Sequence, residues 1–289
     1  MKKVISLILC VFMLGSCMAF ADAIEGSRTV IGADLDADDI AYVYKEFGIS
    51  RGDVKELTVT NAEEREYLKG LVDESLIGTK SISCVYIEAL DEGKGLDVQV
   101  KNITWCTPDM YMNAMVTAGI TDANVRIVAP FDVSGTAALT GIYKAYEDIT
   151  GKKLDEDAKL VGTQELTVTA ELAEEIGSTD SAAIVNQLKL ILDETKDMTD
   201  DELREEIKKI AEEYDVNLTD SQIDSLISLC RSMEKLDTAA LKEKVEQVQK
   251  YLKDIVSKQG EIKQFLSSVA DTVTEFVNKV VSFIRGIFG

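Results

Sequence analysis

The chain has 289 residues and carries 52 acidic against 31 basic side chains, so its formal net charge at pH 7 is −21. Nucleic acids and anionic lipid surfaces are held mainly by Lys and Arg, so this charge excludes nucleic acid as an expected partner and disfavours electrostatic attachment to lipid. The chain contains no histidine, which removes the common general base near neutral pH and most zinc sites. We therefore expect no cofactor, and the composition favours a non-enzymatic protein.

The N-terminal segment has the pattern of an export signal. Two lysines, Lys2 and Lys3, precede an apolar run over residues 4–14, which is too short to span a bilayer as a helix. Ala19-Phe20-Ala21 then fits the small-x-small pattern that signal peptidase cleaves. We predict that residues 1–21 are a signal peptide cleaved after Ala21, and that the mature protein is secreted or lies on the extracellular face of the cell envelope.

A second interpretation of the same segment leaves the protein attached to a membrane. The run from Leu14 to Cys17 is similar to a bacterial lipobox, and cleavage before Cys17 would give a lipid-anchored protein. Gly15 is a weaker fit to that pattern, and the Ala19–Ala21 site competes with it. The soluble form is preferred, and lipid anchoring at Cys17 is the alternative.

Residues 24–150 alternate between strand and helix patterns, and this order predicts an α/β domain with a mixed, layered sheet. Asp36 is positioned to cap the first helix, and Asn61 to cap the second with Glu64 at the third position. The predicted elements are a strand at 29–32, a helix at 37–47, a strand at 54–60, a helix from 61, strands at 81–90 and 96–104, a helix from 107, a strand at 125–129 and a helix at 135–150.

The segment Asp91–Gly95 joins two β-rich runs and predicts a hairpin. If its loop centres on Gly95, Cys84 and Cys106 lie opposite each other and could pair. The favoured interpretation is that both, like Cys230, are small buried apolar thiols.

Residues 151–179 are predicted to connect this domain to the next. Glu165–Thr169 repeats the pentapeptide of Glu56–Thr60. The second copy is either another strand-to-helix unit or a chance repeat in a chain rich in Glu and Thr, and the sequence does not decide between them.

Residues 180–289 are predicted to form an all-α domain. Thr199 with Glu202, and Thr219 with Gln222, have the spacing of capping boxes, and each opens an amphipathic run. Two such starts about twenty residues apart predict short helices that form a hairpin.

The end of the chain carries a heptad-like apolar pattern that predicts a long amphipathic helix of coiled-coil type. Its a positions are Val245, Leu252, Leu266, Val273, Val280 and Ile287, and its d positions are Leu241, Val248, Ile255, Ile262, Val269, Phe276 and Phe283. Three roles stay open: packing within its own bundle, self-association or binding of a protein partner, and peripheral membrane contact. Charged and polar residues such as Glu275, Lys279 and Arg285 argue against a transmembrane span.

One strand-to-helix turn is a candidate ligand site. Ser134, Gly135 and Thr136 follow a strand and open a helix, and the free N–H groups of such a turn favour an anion. Asn61 and Thr107 would converge on the turn if the strands preceding all three segments run parallel. The competing interpretation is close packing, because Gly135 belongs to a stripe of small residues on the same helix.

Asp34, Asp36 and Asp38 have the first three ligand spacings of a calcium loop and are weak metal candidates. Asp39 stands where the loop needs Gly, and Lys45 stands where it needs a bidentate Glu. We therefore predict no metal site, and attribute the three acids to a helix N-terminus.

Three segments resemble one known family. They are Glu56–Arg65, Ile77–Tyr86 and Ala129–Gly141, and together they are similar to the YpuA-like family of secreted Gram-positive proteins, a domain of unknown function. The resemblance covers nearly the whole mature chain and implies export and a Gram-positive origin. It assigns no catalytic or binding residue, and Val133 departs from the Pro that the family pattern implies.

These observations favour an exported interaction protein of the cell envelope or extracellular space that acts without catalysis. The first alternative is a small-ligand or anion-binding module that uses the Ser134–Thr136 turn. A weaker alternative is an envelope hydrolase that works with two carboxylates, which needs two acids at a suitable separation.

Overall fold

The structure, a computed structural model, describes residues 26–71 and 77–250. Three sequence predictions lie outside the described residues. They are the signal peptide with its cleavage after Ala21, the alternative lipid anchor at Cys17, and the heptad pattern from Leu252 onward.

The described chain begins with alternating strands and helices and continues with helices. The elements of the first part are β1 (Ser27–Gly32), α1 (Ala37–Phe47), β2 (Lys55–Val59), α2 (Asn61–Leu68), β3 (Cys84–Ala89), β4 (Leu96–Ile103), α3 (Pro108–Thr117), β5 (Ala123–Val133) and α4 (Thr136–Thr150). The elements of the second part are α5 (Glu156–Ile176), α6 (Ser178–Leu190), α7 (Leu192–Thr195), α8 (Asp200–Glu213) and α9 (Asp220–Met233). Helix α10 begins at residue 238 and extends to 250, where the description ends.

The five strands form one mixed sheet in the order β2-β1-β3-β5-β4. Strand β1 is parallel to β2, and β4 is parallel to β5. Strand β3 lies between these two pairs and is antiparallel to both β1 and β5. The predicted fold class, a mixed α/β sheet followed by helices, is confirmed.

The predicted hairpin between the third and fourth strands is wrong. Strand β5 inserts between β3 and β4, because β4 and β5 form a parallel pair joined by the crossover helix α3. Cys84 and Cys106 therefore do not face each other across a hairpin. Both are buried free thiols, and Cys84 packs with α1 on one face of the sheet while Cys106 belongs to the core on the other face.

Each face of the sheet is covered by different helices. Helix α1 packs Val43, Tyr44 and Phe47 against Ile31 and Val128 on one face. It begins at Asp36, whose side chain accepts hydrogen bonds from two backbone N–H groups, and it ends at Gly48, as the sequence predicted. Helices α3 and α4 cover the other face, where the buried apolar cluster continues into α5, α6, α8, α9 and α10.

The cap of α2 lies one residue earlier than predicted. The side chain of Thr60, not that of Asn61, accepts a hydrogen bond from the backbone N–H of Glu63. The Glu63 carboxylate in turn accepts a hydrogen bond from the backbone N–H of Thr60. Asn61 is the first helical residue. Both capping boxes predicted for the helical part, those opened by Thr199 and Thr219, are confirmed.

The two copies of the repeated pentapeptide adopt different structures. The first copy lies in β2 and its following cap, where it pairs with β1. The second copy, Glu165–Thr169, lies inside the 21-residue helix α5. The strand-to-helix interpretation of the second copy is therefore wrong, and residues 151–179 consist largely of a helix that packs against α3 and α6.

Candidate site at the start of helix α4

The strands that precede the predicted ligand residues all have their carboxyl ends on the same side of the sheet. Since β3 is antiparallel to both β1 and β5, the four strands β1, β2, β4 and β5 share one direction. Asn61 follows β2, Thr107 follows β4 and Ser134 follows β5. The parallel orientation that the sequence argument required is present. Open α/β sheets bind ligands at these carboxyl ends of their strands.

The turn between β5 and α4 is tightly packed around Gly135. Its φ is 99°, and a Cβ at this position would lie 2.5 Å from both Ile103 Cγ2 and the Tyr111 hydroxyl oxygen. That hydroxyl donates a hydrogen bond to the Gly135 carbonyl oxygen at 2.6 Å. Glycine is thus needed at this turn both for its backbone conformation and for lack of space.

A carboxyl group that the sequence analysis took for a capping residue lies at the first residue of α4. Glu64 is 1% exposed. Its carboxyl accepts hydrogen bonds from the Thr136 hydroxyl at 2.6 Å and from the Asn61 side-chain amide at 3.3 Å. The structure therefore brings Asn61 and Thr136 together through Glu64, and the Ser134 hydroxyl lies 3.5 Å from that of Thr136.

Glu64 turns inward because its neighbour performs the capping function. With Thr60 and Glu63 satisfying the free N–H groups at the start of α2, Glu64 is one residue further round the helix and faces α4. The sequence signal that could have identified it is the overlap of two acids, Glu63 and Glu64, after two candidate caps, Thr60 and Asn61. Only one of each pair can complete the box.

Burial raises the pKa of Glu64 to about 7. The hydrogen bonds from Thr136 and Asn61 and the charge of Arg65 oppose this rise, but desolvation is the largest effect. The positive end of α4 thus already faces a carboxyl group of the chain itself. An anion placed at Thr136 would meet the Glu64 carboxylate whenever that group is ionised, so the arrangement suits a neutral hydrogen-bonding group better than an anion.

Thr107 is connected to this turn through the backbone. The N–H of Cys106 donates to the carbonyl of Ser134 at 3.2 Å. The N–H of Thr107 donates to the sulfur of Met110 at 3.4 Å, and its buried hydroxyl oxygen has no hydrogen-bond partner among the described residues. Burial raises the pKa of the Cys106 thiol to about 12, so this thiol is not a nucleophile near neutral pH.

Two of the three candidate metal ligands near the start of α1, Asp34 and Asp36, have side chains that accept hydrogen bonds from the backbone. Asp36 accepts from the N–H groups of Asp38 and Asp39, each at 2.9 Å. Asp34 accepts from the N–H of Ser81 at 2.8 Å, which connects it to the segment before β3. Within residues 26–71 and 77–250, no group of three or more Cys, Asp or Glu side chains is arranged to hold a metal ion.

A second buried polar cluster joins helices α3, α5 and α6. The Lys189 ammonium lies 2.6 Å from a carboxylate oxygen of Glu165, and both side chains are fully buried. Thr117 donates to the other Glu165 oxygen, and Lys189 donates to the Asn113 carbonyl at 3.0 Å and to the Thr117 hydroxyl at 3.2 Å. Burial lowers the pKa of Lys189, and the facing Glu165 opposes that effect. The sequence analysis did not identify this pair.

The first heptad positions of the C-terminal segment are buried in the chain's own core. Leu241, Val245 and Val248 are 3%, 3% and 6% exposed and belong to the main apolar cluster. Val245 and Val248 also border a pocket of about 200 Å³ that Met112 of α3 and Ala182 of α6 line from the other side. Where the structure describes it, the predicted apolar face is therefore a packed face.

Comparison with known proteins identifies the family. The model of a family described as a protein of unknown function (DUF1002) matches residues 31–251. The chain belongs to this family. It is also 36% identical over 275 residues to a protein of Bacillus subtilis (strain 168) whose name reads "Uncharacterized protein YpuA", and the match covers 93% of each chain. The resemblance stated from the sequence is confirmed.

No solved structure matches the chain. The family description and the relative's name state no activity, so any function must be argued from the residues of this chain. Among the helices in the described part of the chain, none combines the length and apolarity that crossing a membrane requires.

Proposed function

We propose that this protein is exported and acts, without catalysis, as an interaction protein of the cell envelope or extracellular space, and that its C-terminal heptad segment binds a second copy or a protein partner. Export is supported by the signal-like residues 1–21 and by the net charge of −21, which suits a soluble protein in a cation-rich envelope. The contact made by the C-terminal segment is supported by the heptad pattern and by the burial of its first a and d positions in α10.

The observation that carries the proposal is that the heptad pattern marks buried positions wherever it can be compared with the structure. Leu241, Val245 and Val248 are all buried, whereas the neighbouring Glu246 and Gln247 are exposed. The described turns contact their own chain, so the proposal concerns the later heptads. These contain ten further apolar a and d positions, from Leu252 to Ile287. An apolar seam of that length is typical of helix–helix association.

The experiment compares two double variants of the secreted form, residues 22–289. Leu266→Asp with Val273→Asp places two charges at a positions. Gln264→Asp with Asn278→Asp adds the same charge at f positions, on the opposite side of a heptad helix. We expect the first variant to lower the solution mass measured by sedimentation equilibrium, or to release the protein from cell-wall fractions, and the second to do neither. Equal behaviour of the two variants would overturn the proposal.

The same experiment avoids removing folded core. A truncation at Asp237 would delete Leu241, Val245 and Val248, which are buried in the main apolar cluster, and would confuse loss of association with unfolding.

Export is tested separately by mass spectrometry of the mature N-terminus. A chain that begins at Asp22 supports the soluble form, and a lipid-modified N-terminus at Cys17 supports the anchored form. An uncleaved chain retained in the cytoplasm would contradict export. Binding to protein-free vesicles that the a-position variant abolishes would indicate peripheral membrane contact instead.

A second candidate function is binding of a small ligand at the Ser134–Thr136 turn. The observation that favours it is the convergence of Asn61, Glu64 and Thr136 at the carboxyl ends of the parallel strands, together with the Thr107 hydroxyl, which has no partner among the residues that the structure describes. Glu64, with its pKa near 7, suits a neutral polar ligand. Glu64→Gln should change the pH dependence of such binding, while Glu66→Gln on the same helix should not. The hydrolase alternative gains little from Glu64, because a carboxyl that is 1% exposed does not reach a glycan.

A further inference from the structure

The two edges of the sheet differ in how they are protected. At the β2 edge, the Lys144 ammonium donates to the carbonyl of Thr58 at 2.6 Å and so occupies a backbone group of that strand. Lysines placed on an edge in this way block pairing with another strand. At the β4 edge, the outward backbone groups have no hydrogen-bond partner within residues 26–71 and 77–250. As far as the described residues are concerned, the β4 edge is therefore open to a further strand.

The register with β5 shows which groups of β4 point outward. The N–H of Ala123 donates to the carbonyl of Gly95 at 3.0 Å. In a parallel ladder, alternate residues direct both backbone groups to the same neighbour. Residues 97, 99 and 101 therefore bond to β5, and the N–H and C=O groups of Leu96, Val98 and Val100 point to the open edge.

The side chains on the two faces of β4 have different environments. Leu96 and Val98 are buried against the α3 side of the sheet. Asp97, Gln99 and Lys101 are exposed on the α1 side, where Lys101 lies 2.6 Å from Glu46 of α1. The exposed row thus reads acidic, polar, basic at successive positions along the strand.

We propose that β4 pairs antiparallel with β4 of a second copy of this chain, about a two-fold axis at Gln99. In this register Val98 faces Val100 of the partner and Val100 faces the partner's Val98. All these residues point their backbone groups outward, so each pair exchanges two hydrogen bonds, about four in total. Asp97 then lies directly opposite the partner's Lys101, and this contact occurs twice.

Charge complementarity selects this register among the antiparallel alternatives. An axis at Asp97 would place two carboxylates opposite each other, and an axis at Lys101 would place two ammonium groups opposite each other. An axis at Val98 would pair Asp97 with Gln99 and leave Lys101 without an acid across the strand. Directly opposed unlike charges stabilise a strand pair and like charges destabilise it. The two-fold contact closes on itself, so it yields a dimer and no fibre.

A cysteine placed on the axis tests the register. In the proposed dimer Gln99 faces the partner's Gln99 in a non-hydrogen-bonded pair, where Cα atoms are about 4.5 Å apart, within the range that a disulfide spans. Gln99→Cys in residues 22–289 should therefore form a covalent dimer under mild copper-catalysed air oxidation. The native Cys84, Cys106 and Cys230 are buried, so they should not contribute to the cross-link. Asp97→Cys lies off the axis and should not cross-link.

A matched control lies on the other edge. Thr58→Cys places an exposed thiol on β2, whose edge Lys144 protects, and should remain monomeric under the same oxidation. Cross-linking of Asp97→Cys or Thr58→Cys to the same extent as Gln99→Cys would show random collision and overturn the proposal. The proposal would also be overturned if Gln99→Cys formed no covalent dimer at any protein concentration up to about the millimolar range.

A charge exchange tests the contact independently of any new thiol. Asp97→Lys and Lys101→Asp should each weaken dimerisation by about tenfold in sedimentation equilibrium, since each converts two attractive contacts to repulsive ones. The double exchange, Asp97→Lys with Lys101→Asp, should restore the dimer. Lys94→Asp, in the loop before β4, carries the same charge change and should have no such effect. Failure of the exchange to restore dimerisation would overturn the proposed register.

The outcome is separable from that of the heptad segment. The variant with Leu266→Asp and Val273→Asp should leave the Gln99→Cys cross-link unchanged if β4 forms the interface. Loss of the cross-link in that variant would show that the C-terminal segment, not the β4 edge, brings the copies together.

Discussion

The buried ion pair between Glu165 and Lys189 gives a quantitative test of the helical core. Lys189→Met removes the ammonium that lies 2.6 Å from the Glu165 carboxylate, in a site where both side chains are fully buried. The remaining carboxylate keeps the hydrogen bond from Thr117 but has no counter-charge. Removing one partner of a fully buried pair costs about 3–5 kcal/mol, which is a large fraction of the 5–15 kcal/mol that stabilises a typical domain.

Removing both charges should cost less than removing one. In the double variant Glu165→Leu with Lys189→Met, no buried charge remains, and apolar replacements of similar volume are often neutral. The Thr117 hydroxyl and the Asn113 carbonyl then lose the partners that they have in the native cluster. An unsatisfied buried polar group costs about 1–3 kcal/mol, so we expect the double variant to be less destabilised than either single variant.

Urea unfolding followed by far-ultraviolet circular dichroism measures these differences as free energies of unfolding, provided that the dependence on urea concentration has the same slope in all variants. Lys209→Met is the matched control, because Lys209 pairs with Glu206 on an exposed helix surface and the same substitution there should change stability by less than about 0.5 kcal/mol. The reasoning is refuted if Lys189→Met costs no more than Lys209→Met, or if the double variant costs the sum of the two single variants.

Two further predictions concern the start of α4. The pKa of Glu64 is about 7 in the folded chain against 4.5 ordinarily, so between pH 4.5 and 7 the folded state keeps a proton that the unfolded state releases, and the free energy of unfolding falls across this range. Glu64→Gln should therefore match the wild type near pH 4.5 and exceed its free energy of unfolding by about 3 kcal/mol at pH 8. A constant difference between the two proteins over this range would contradict the burial argument. Gly135→Ala should lower the melting temperature more than Gly52→Ala does, since both glycines have φ near +100° but only at Gly135 would a Cβ meet other atoms, Ile103 Cγ2 and the Tyr111 hydroxyl, at 2.5 Å; equal losses would show that backbone strain alone acts.

Local chemistry in the sequence determined where many helices begin and end. The side chains of Asp36, Thr199 and Thr219 cap helices where the sequence predicted caps, because a capping contact depends on residues within one turn. The misplaced cap of α2 has the same origin, since Thr60 and Asn61 both satisfy the local rule and only the packing of Glu64 against Thr136 distinguishes them. Sequence alone thus placed the helix but not its inward-facing acid.

The pairing of strands depended on contacts that are distant in sequence. The run through Asp91–Gly95 has hairpin chemistry, yet β5, which begins at Ala123, inserts between the strands that it joins. No local signal records this, because a parallel β4–α3–β5 crossover gains its stability from burying α3 against the sheet. The convergence of Asn61 and Thr136, by contrast, follows from strand direction, and was predicted on the condition of parallel strands.

The pentapeptide that occurs twice separates what the sequence determined from what only the tertiary structure decided. The order of strand and helix patterns along the sequence determined the fold class and the helical character of the second half, and three segments indicated the family by resemblance. They did not decide whether Glu-Leu-Thr-Val-Thr becomes strand or helix. In the first copy residues 56–59 pair with β1, and at 165–169 the second copy forms a helix in which Leu166 packs into the core and Glu165 contacts Lys189. Five residues carry too little intrinsic preference to resist such contacts, so their environment decides their conformation.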